Sequence, residues 1–229
     1  MKLLAIDTAT EGCSVCLWHD GESLSRLEVQ PRKHAELILP MIDEVLSEAG
    51  VSLSQLDSLA FGRGPGAFTG VRIATGVIQG IAYGSDLPVV PVSTLRALAQ
   101  RVYRQHQAHR VLAAFDARMQ EVYFGAFELD ADALMQPVID EIVIKPDALQ
   151  LDAVVDNNWV GAGSGWRVYE ALLLNSLGSE LAHVYPDMIT RADEIAELAV
   201  NDFALGKAVD AEQALPIYLR NEVAWKKQS

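Results

Sequence analysis

Hydrophobic positions along the chain fall into two kinds of run. Short apolar blocks at residues 2–6, 13–19, 23–30, 56–61, 89–92, 111–115, 121–129 and 183–185 read as strands. Longer stretches with helical spacing lie at 33–49, 69–83, 94–104, 166–174 and 191–205. In the first of these, Ile38, Met41, Ile42, Val45 and Leu46 repeat at three- and four-residue intervals, and Gly50 supplies a stop. Pro40 sits inside that pattern and predicts a kink or a late start. Asp20-Gly21 marks a hairpin, and Ser93 or Thr94 caps the third helix. The tail, residues 215–225, is apolar and aromatic enough to pack against the body.

The pattern occurs twice. Leu3-Leu4-Ala5-Ile6-Asp7 matches Leu112-Ala113-Ala114-Phe115-Asp116 at an offset of 109 residues. Gly62-Arg63-Gly64-Pro65-Gly66 echoes Gly161-Ala162-Gly163-Ser164-Gly165 at an offset of 99, each after a strand and before a helix. Two echoes in one order predict an internal duplication, with lobes at 1–107 and 108–229. Each lobe is then a mixed sheet flanked by helices, an α/β fold, with the second lobe degenerate. Residues 208–229 are placed as a tail that packs back on the first lobe. Between Glu128 and Asp156, eight acidic residues against the single base Lys145 read as a solvated outer face.

The stretch 62–72 carries the strongest chemical signal. Four glycines and a proline lead from a strand into a helix, a form that can cradle an anion on backbone amides or simply make a tight βα turn. The helix that follows places Gly76, Gly80 and Gly84 on one face. Glycine weakens a helix by about 1 kcal/mol against alanine, so three of them require close approach of another backbone. That backbone is either the chain's own sheet or a second subunit.

Composition narrows the field. The chain has 229 residues, 50% of them hydrophobic, and a net charge of −13. Such acidity argues against a large phosphate-binding surface, so any nucleic acid is expected to be gripped mainly by a partner. The apolar run at 3–6 is too short for a secretory leader, and no run is long enough for a membrane span, so the expected compartment is the cytoplasm. Cys13 and Cys16 suggest a metal or redox pair only until their strand is considered. Positions three apart on a strand point to opposite faces.

Two lobes, each with an aspartate after the first strand and a glycine turn later, resemble the actin, Hsp70 and sugar-kinase superfamily. In detail, Ile6-Asp7-Thr8-Ala9-Thr10, the stretch from Gly62 to Ile73, Phe115-Asp116-Ala117-Arg118 and Tyr218-Leu219-Arg220-Asn221 resemble the TsaB (YeaZ) family. The resemblance implies a non-catalytic role in forming threonylcarbamoyladenosine next to the tRNA anticodon. It implies pairing with a catalytic TsaD-like paralogue, help from a TsaE-like ATPase, and self-association as a homodimer without the paralogue. It also implies tRNA contact only through the complex. The partner interface is then expected at Ile38, Ile42, Val45, Phe68, Gly76, Val77, Gly80, Ile81 and Gly84. Asp7, Thr8, Thr10, Gly64, Gly66 and Asp116 stand as an inherited, disused phosphate loop. No cofactor is expected on the chain alone, ATP or ADP being placed only at a partner seam.

Catalytic alternatives meet a missing residue pair. TsaD-like proteins carry two histidines four apart after the strand that follows the glycine-turn helix; Thr94 and Leu98 stand there in this chain. No pair among His19, His34, His106, His109 and His183 has that spacing, so no metal site is expected. A freestanding ATP-dependent kinase or ATPase, and a peptidase, remain as the competing functions.

Overall fold

The computed structural model describes residues 1–151, 158–178 and 181–220. Among the described residues there are eleven strands and five helices, and the helices fall where the sequence pattern places them. The first sheet contains β1 (Lys2–Asp7), β2 (Cys13–His19), β3 (Glu22–Glu28), β4 (Ser58–Gly62) and β5 (Val89–Val92) in the order β3-β2-β1-β4-β5. Its hairpin strands pair antiparallel, whereas β1, β4 and β5 run parallel. The second sheet contains β6 (Arg110–Arg118), β7 (Glu121–Leu129), β8 (Met135–Pro137), β10 (Val160–Ala162) and β11 (His183–Tyr185) in the order β8-β7-β6-β10-β11. A further strand, β9 (Ile142–Ile144), also pairs with β7. Position for position the two orders and senses correspond, β6 to β1 and β10 to β4. This is the duplicated actin-like fold.

The helices are α1 (His34–Ala49), α2 (Phe68–Ser85), α3 (Thr94–His106), α4 (Ser164–Leu177) and α5 (Ala192–Ala204). Helix α1 remains one helix through Pro40, contrary to the expected kink or late start. Pro40 lies on the solvent side, where water can take the carbonyl that the missing N–H leaves free. Gly50 ends the helix in the left-handed conformation, φ 64°, and returns its N–H to Ser47. In the second lobe, the described residues between β9 and β10 hold only a 3-10 turn at Pro146–Ala148 where the first lobe has α1.

Packing departs from chain order in one respect. Helices α1 and α2 cover the outer face of the first sheet, around Ile38, Val45, Phe61 and Ile78. Its inner face is covered by α5, whose Ala192, Ile195, Ala196 and Ala199 meet Leu3, Ala5, Ala60 and Val90. The inner face of the second sheet is covered by α3, through Leu95, Leu98, Ala99 and Val102. Each lobe's last helix therefore lies on the other lobe's sheet, and the two helices pack together between the sheets. Residue Val209 then pairs antiparallel with Val89, and Ala214 enters the first lobe's core. Residues 221–225 of the predicted packed tail lie outside the described residues.

Because α3 and α5 are buried on both sides, their polar groups must be partnered inside. Arg96 donates to Asp202 at 2.7 Å and to the Met135 carbonyl at 2.6 Å. Glu141, expected on a solvated outer face, instead accepts from Ser93 across the two lobes, and burial raises its carboxyl above the usual range. Glu194 lies 3.5 Å from both Arg101 and Arg104. Burial pushes its carboxyl from 4.5 up to about 7, against the pull of Arg101. Unfolded chains ionise this group near pH 4.5 and the folded chain only near 7. Its contribution to stability is therefore full below about 4.5 and lost as pH rises through 7, a fall of about 3 kcal/mol. Glu194→Gln should flatten that part of the curve, read as urea midpoints between pH 4.5 and 7.5. Among the described residues, no helix is long and apolar enough to cross a membrane.

Candidate functional site

The glycine turn joins β4 to α2, and its glycines answer to the chain itself. A Cβ on Gly66 would run into the Ala9 carbonyl oxygen, one on Gly70 into the Thr8 carbonyl oxygen, and one on Gly62 into the Asp7 carboxylate. The backbone after β1 therefore lies directly on the turn. The turn's polar groups are spent in the same way. Arg63 N–H donates to the Val92 carbonyl and Ala67 N–H to the Ala9 carbonyl, both at 2.8 Å. Thr94 N–H donates to the Gly64 carbonyl at 3.1 Å, and its hydroxyl to that of Pro65. Ile217 N–H closes the outer side on the Arg63 carbonyl at 2.9 Å. The amides of Arg63 and Ala67 are therefore engaged within the chain.

Asp7 is fully buried beneath this turn. One carboxylate oxygen accepts from Ala9 N–H at 3.0 Å and the other from the Thr190 hydroxyl. Burial raises its pKa, and these two hydrogen bonds only partly oppose the shift. Thr8 donates its hydroxyl to the Gly70 carbonyl at 2.7 Å, and Thr10 lies 3.0 Å from the Thr190 hydroxyl. Asp7, Thr8, Thr10, Gly64 and Gly66 thus lie together in a closed cluster knitting α5's entrance to the first sheet. Asp116 is elsewhere. It bonds Arg118 N–H at 2.9 Å and pairs with the Arg118 guanidinium at 3.0 Å, where residues 118–120 all take positive φ. It caps the β6–β7 hairpin.

The opposite side of α2 is open. Gly76, Gly80 and Gly84 are exposed, and a Cβ built on any of them would meet nothing within 4 Å. They do not pack against their own sheet. Phe68, Arg72 and Tyr83 share this outer face, with Phe68 54% and Tyr83 81% exposed. Beside it, a groove of about 550 Å³ runs between the second half of α1, residues 51–55 and Ile81. Of the expected interface residues, Ile38, Ile42 and Val45 are buried against the first sheet, and Ile42 also lines this groove. Val77 and Ile81 are half-buried against the same core. The exposed residues of α1 include Leu39, Asp43, Glu44 and Ser47, which periodicity alone assigns to solvent.

Sequence reasoning also passed over Arg72 and Tyr218 as functional residues. Arg72 Nε donates to the Tyr218 hydroxyl at 3.0 Å, although 146 residues separate them. The only sequence signal is that both belong to motifs of the family resemblance.

At the heart of the old metal position, Thr94 is buried on Pro65 and Leu98 is in the second lobe's core. Cys13 and Cys16 are buried, and burial pushes the Cys13 thiol up to about 12.

Comparison with known proteins agrees with this architecture. A family model for TsaD, tRNA N6-adenosine threonylcarbamoyltransferase, matches residues 28–228. The tRNA threonylcarbamoyladenosine biosynthesis protein TsaB of Escherichia coli (strain K12) is 44% identical over 99% of this chain and 98% of its own. The solved structure of YeaZ from Pseudomonas aeruginosa is 46% identical, with a TM-score of 0.88 over 95% of this chain and 99% of that one. Another solved chain, described as similar to peptidase YeaZ from Pseudomonas aeruginosa, is 47% identical, with a TM-score of 0.88 over 96% of this chain and 99% of that one. Identity of this order over almost the full length of both partners in each comparison places the chain in the TsaB family.

Proposed function

We propose that the chain is a non-catalytic subunit in forming threonylcarbamoyladenosine on tRNA, acting by docking on a TsaD-type transferase through the outer face of α2. One observation carries this reading: Gly76, Gly80 and Gly84 form a bare row along that face with nothing within 4 Å. Such a row weakens the isolated helix and is useful only if a second helix lies close against it. The name of the E. coli relative supplies the pathway, and the match to a TsaD family model supports a paralogous partner. A TsaE-type ATPase completes the assembly, and tRNA is held by the complex rather than by this acidic chain. Without its partner the chain self-associates through the same face. It works in the cytoplasm.

The filled glycine turn supports the non-catalytic half of the proposal. An independent kinase or ATPase would need the amides that Arg63 and Ala67 give to Val92 and Ala9. A metallopeptidase would need ligands where Thr94 and Leu98 stand. The test is reconstitution of the modification from TsaD-type and TsaE-type proteins and tRNA, with and without this chain. Product should depend on its addition, and the chain alone should neither bind nor turn over ATP with magnesium. Micromolar ATP binding with turnover by the chain alone would overturn the proposal.

A further inference from the structure

Helix α2 is eighteen residues long, and Arg72 is its single charged residue. We infer that Arg72, stacked on Phe68 and hydrogen-bonded to Tyr218, is the receptor for one carboxylate side chain of the subunit that docks on α2. The inference rests on the docking proposed above and assigns the chemistry by which that face selects its partner.

The clamp is built from both ends of the sequence. Phe68 lies one turn before Arg72, and the guanidinium carbon sits 3.6 Å from the Phe68 ring centroid, within cation–π range. Tyr218 lies beside the same guanidinium, its ring centroid 5.7 Å from the guanidinium carbon and 5.9 Å from the Phe68 centroid, and its hydroxyl accepts from Arg72 Nε at 3.0 Å. Tyr218 is itself anchored. Gln79 donates to the Ala214 carbonyl at 3.2 Å, Ile217 bonds Arg63, and Arg220 donates to the Ala117 carbonyl at 3.1 Å in the second lobe. Two motifs far apart in the chain therefore converge on one guanidinium, which accounts for residues that the fold alone leaves unexplained.

Clamping matters because of what it leaves over. Stacking and the Nε bond fix the plane of the guanidinium. Among the described residues its two terminal nitrogens have no hydrogen-bond partner. A planar fork of N–H groups held in one orientation fits a carboxylate through two parallel bonds. Much of the side-chain entropy cost of binding is already met in the free chain. Charge gives the sign of the ligand. The exposed ionised groups of neighbouring α1 are Glu36, Asp43, Glu44 and Glu48, the last paired with Arg26, so among the described residues Arg72 is a cation on a helix next to an acidic one. Its position is continuous with the glycine row, four residues before Gly76 on the same side. A helix crossing at the glycines can therefore place an aspartate or glutamate against it. Arginine and tyrosine beside an exposed phenylalanine are also the residue types that dominate binding energy at interfaces.

Association with the TsaD-type partner, measured by titration calorimetry at low and high salt, tests this. Arg72→Ala should weaken binding about 100-fold and lower its salt dependence. Arg72→Lys should recover only part, since an ammonium cannot bind a carboxylate in fork geometry. Tyr218→Phe, which keeps the ring and removes the acceptor, should cost about 5-fold. Thermal midpoints of all three should stay near that of the parent chain. An aspartate or glutamate of the partner whose amide variant reproduces the Arg72→Ala loss, without adding to it, would identify the ligand. Unchanged affinity of Arg72→Ala, with Gly80→Leu abolishing the complex, would overturn this inference and leave the docking face standing. Unchanged affinity of Gly80→Leu would instead remove the docking face. Loss of self-association alone in Arg72→Ala would overturn the assignment by giving the site to Glu36 or Asp43 of a second copy.

Discussion

Gly70→Ala is expected to cost about 4 kcal/mol or more, a large share of the roughly 5–15 kcal/mol by which folded domains are stable. The ideal Cβ at this position falls on the Thr8 carbonyl oxygen and lies 3.0 Å from its carbon. Neither backbone is free to retreat. Thr8 bonds the Gly70 carbonyl at 2.7 Å, Ala9 accepts from Ala67 at 2.8 Å, and Asp7 is held beneath by Ala9 and Thr190. Moving α2 outward would break these bonds and expose a buried carboxylate, and moving β1 would disturb the centre of the first sheet. Gly76→Ala provides the control on the same helix. It adds a Cβ to open space and should raise stability by about 1 kcal/mol through helix propensity alone. Urea midpoints shifting in opposite directions would verify the close approach. Parallel shifts would refute it.

Gly80→Leu should separate folding from function. Its Cβ meets nothing within 4 Å on an exposed face of the isolated chain, so the thermal midpoint should hold or rise slightly. Leucine would nevertheless stand in the middle of the row where a partner helix has to come close. At an interface packed as tightly as a protein interior, that bulk forces the helices apart and opens gaps on either side. Affinity for the TsaD-type partner is expected to fall at least 100-fold, and reconstituted modification with it. Gel filtration and product assay together read the effect. Asp43→Asn, at the edge of the neighbouring groove, should change affinity less than 3-fold.

Much of the fold was legible because its signals are local. The α1 spacing, Gly50, the Asp20-Gly21 hairpin and the paired Asp7 and Asp116 turns each act within a few residues. The duplication was legible because both copies retain the same local signals. Helix exchange was not. Leu95, Leu98 and Ala99 announce a buried helix but not which sheet buries them. The same ambiguity applies to the expected interface residues of α1. An apolar stripe such as Ile38, Ile42 and Val45 has one meaning in sequence, and its own sheet claims it before any partner can. The glycines were more informative because the chain makes no use of them on that side. Within the glycine turn, spacing could reveal close approach but not what approaches; only the folded chain shows it to be Thr8 and Ala9. Arg72 and Tyr218 could not be joined by any local rule, since their bond depends on the path of the last described residues.

The exchange of α3 and α5 also sets a timetable for the chain as it leaves the ribosome. The first sheet is fully translated by Val92, yet its inner face stays bare until Ala192 to Ala199 arrive. Half of the first hydrophobic layer must therefore wait for a further hundred residues or so, about 5–20 seconds of synthesis. During that interval Leu3, Ala5, Ala60 and Val90 form an adhesive surface that a holding chaperone would recognise. A nascent chain stalled after β5 should be captured and protease-sensitive, and one extended past α5 should be released.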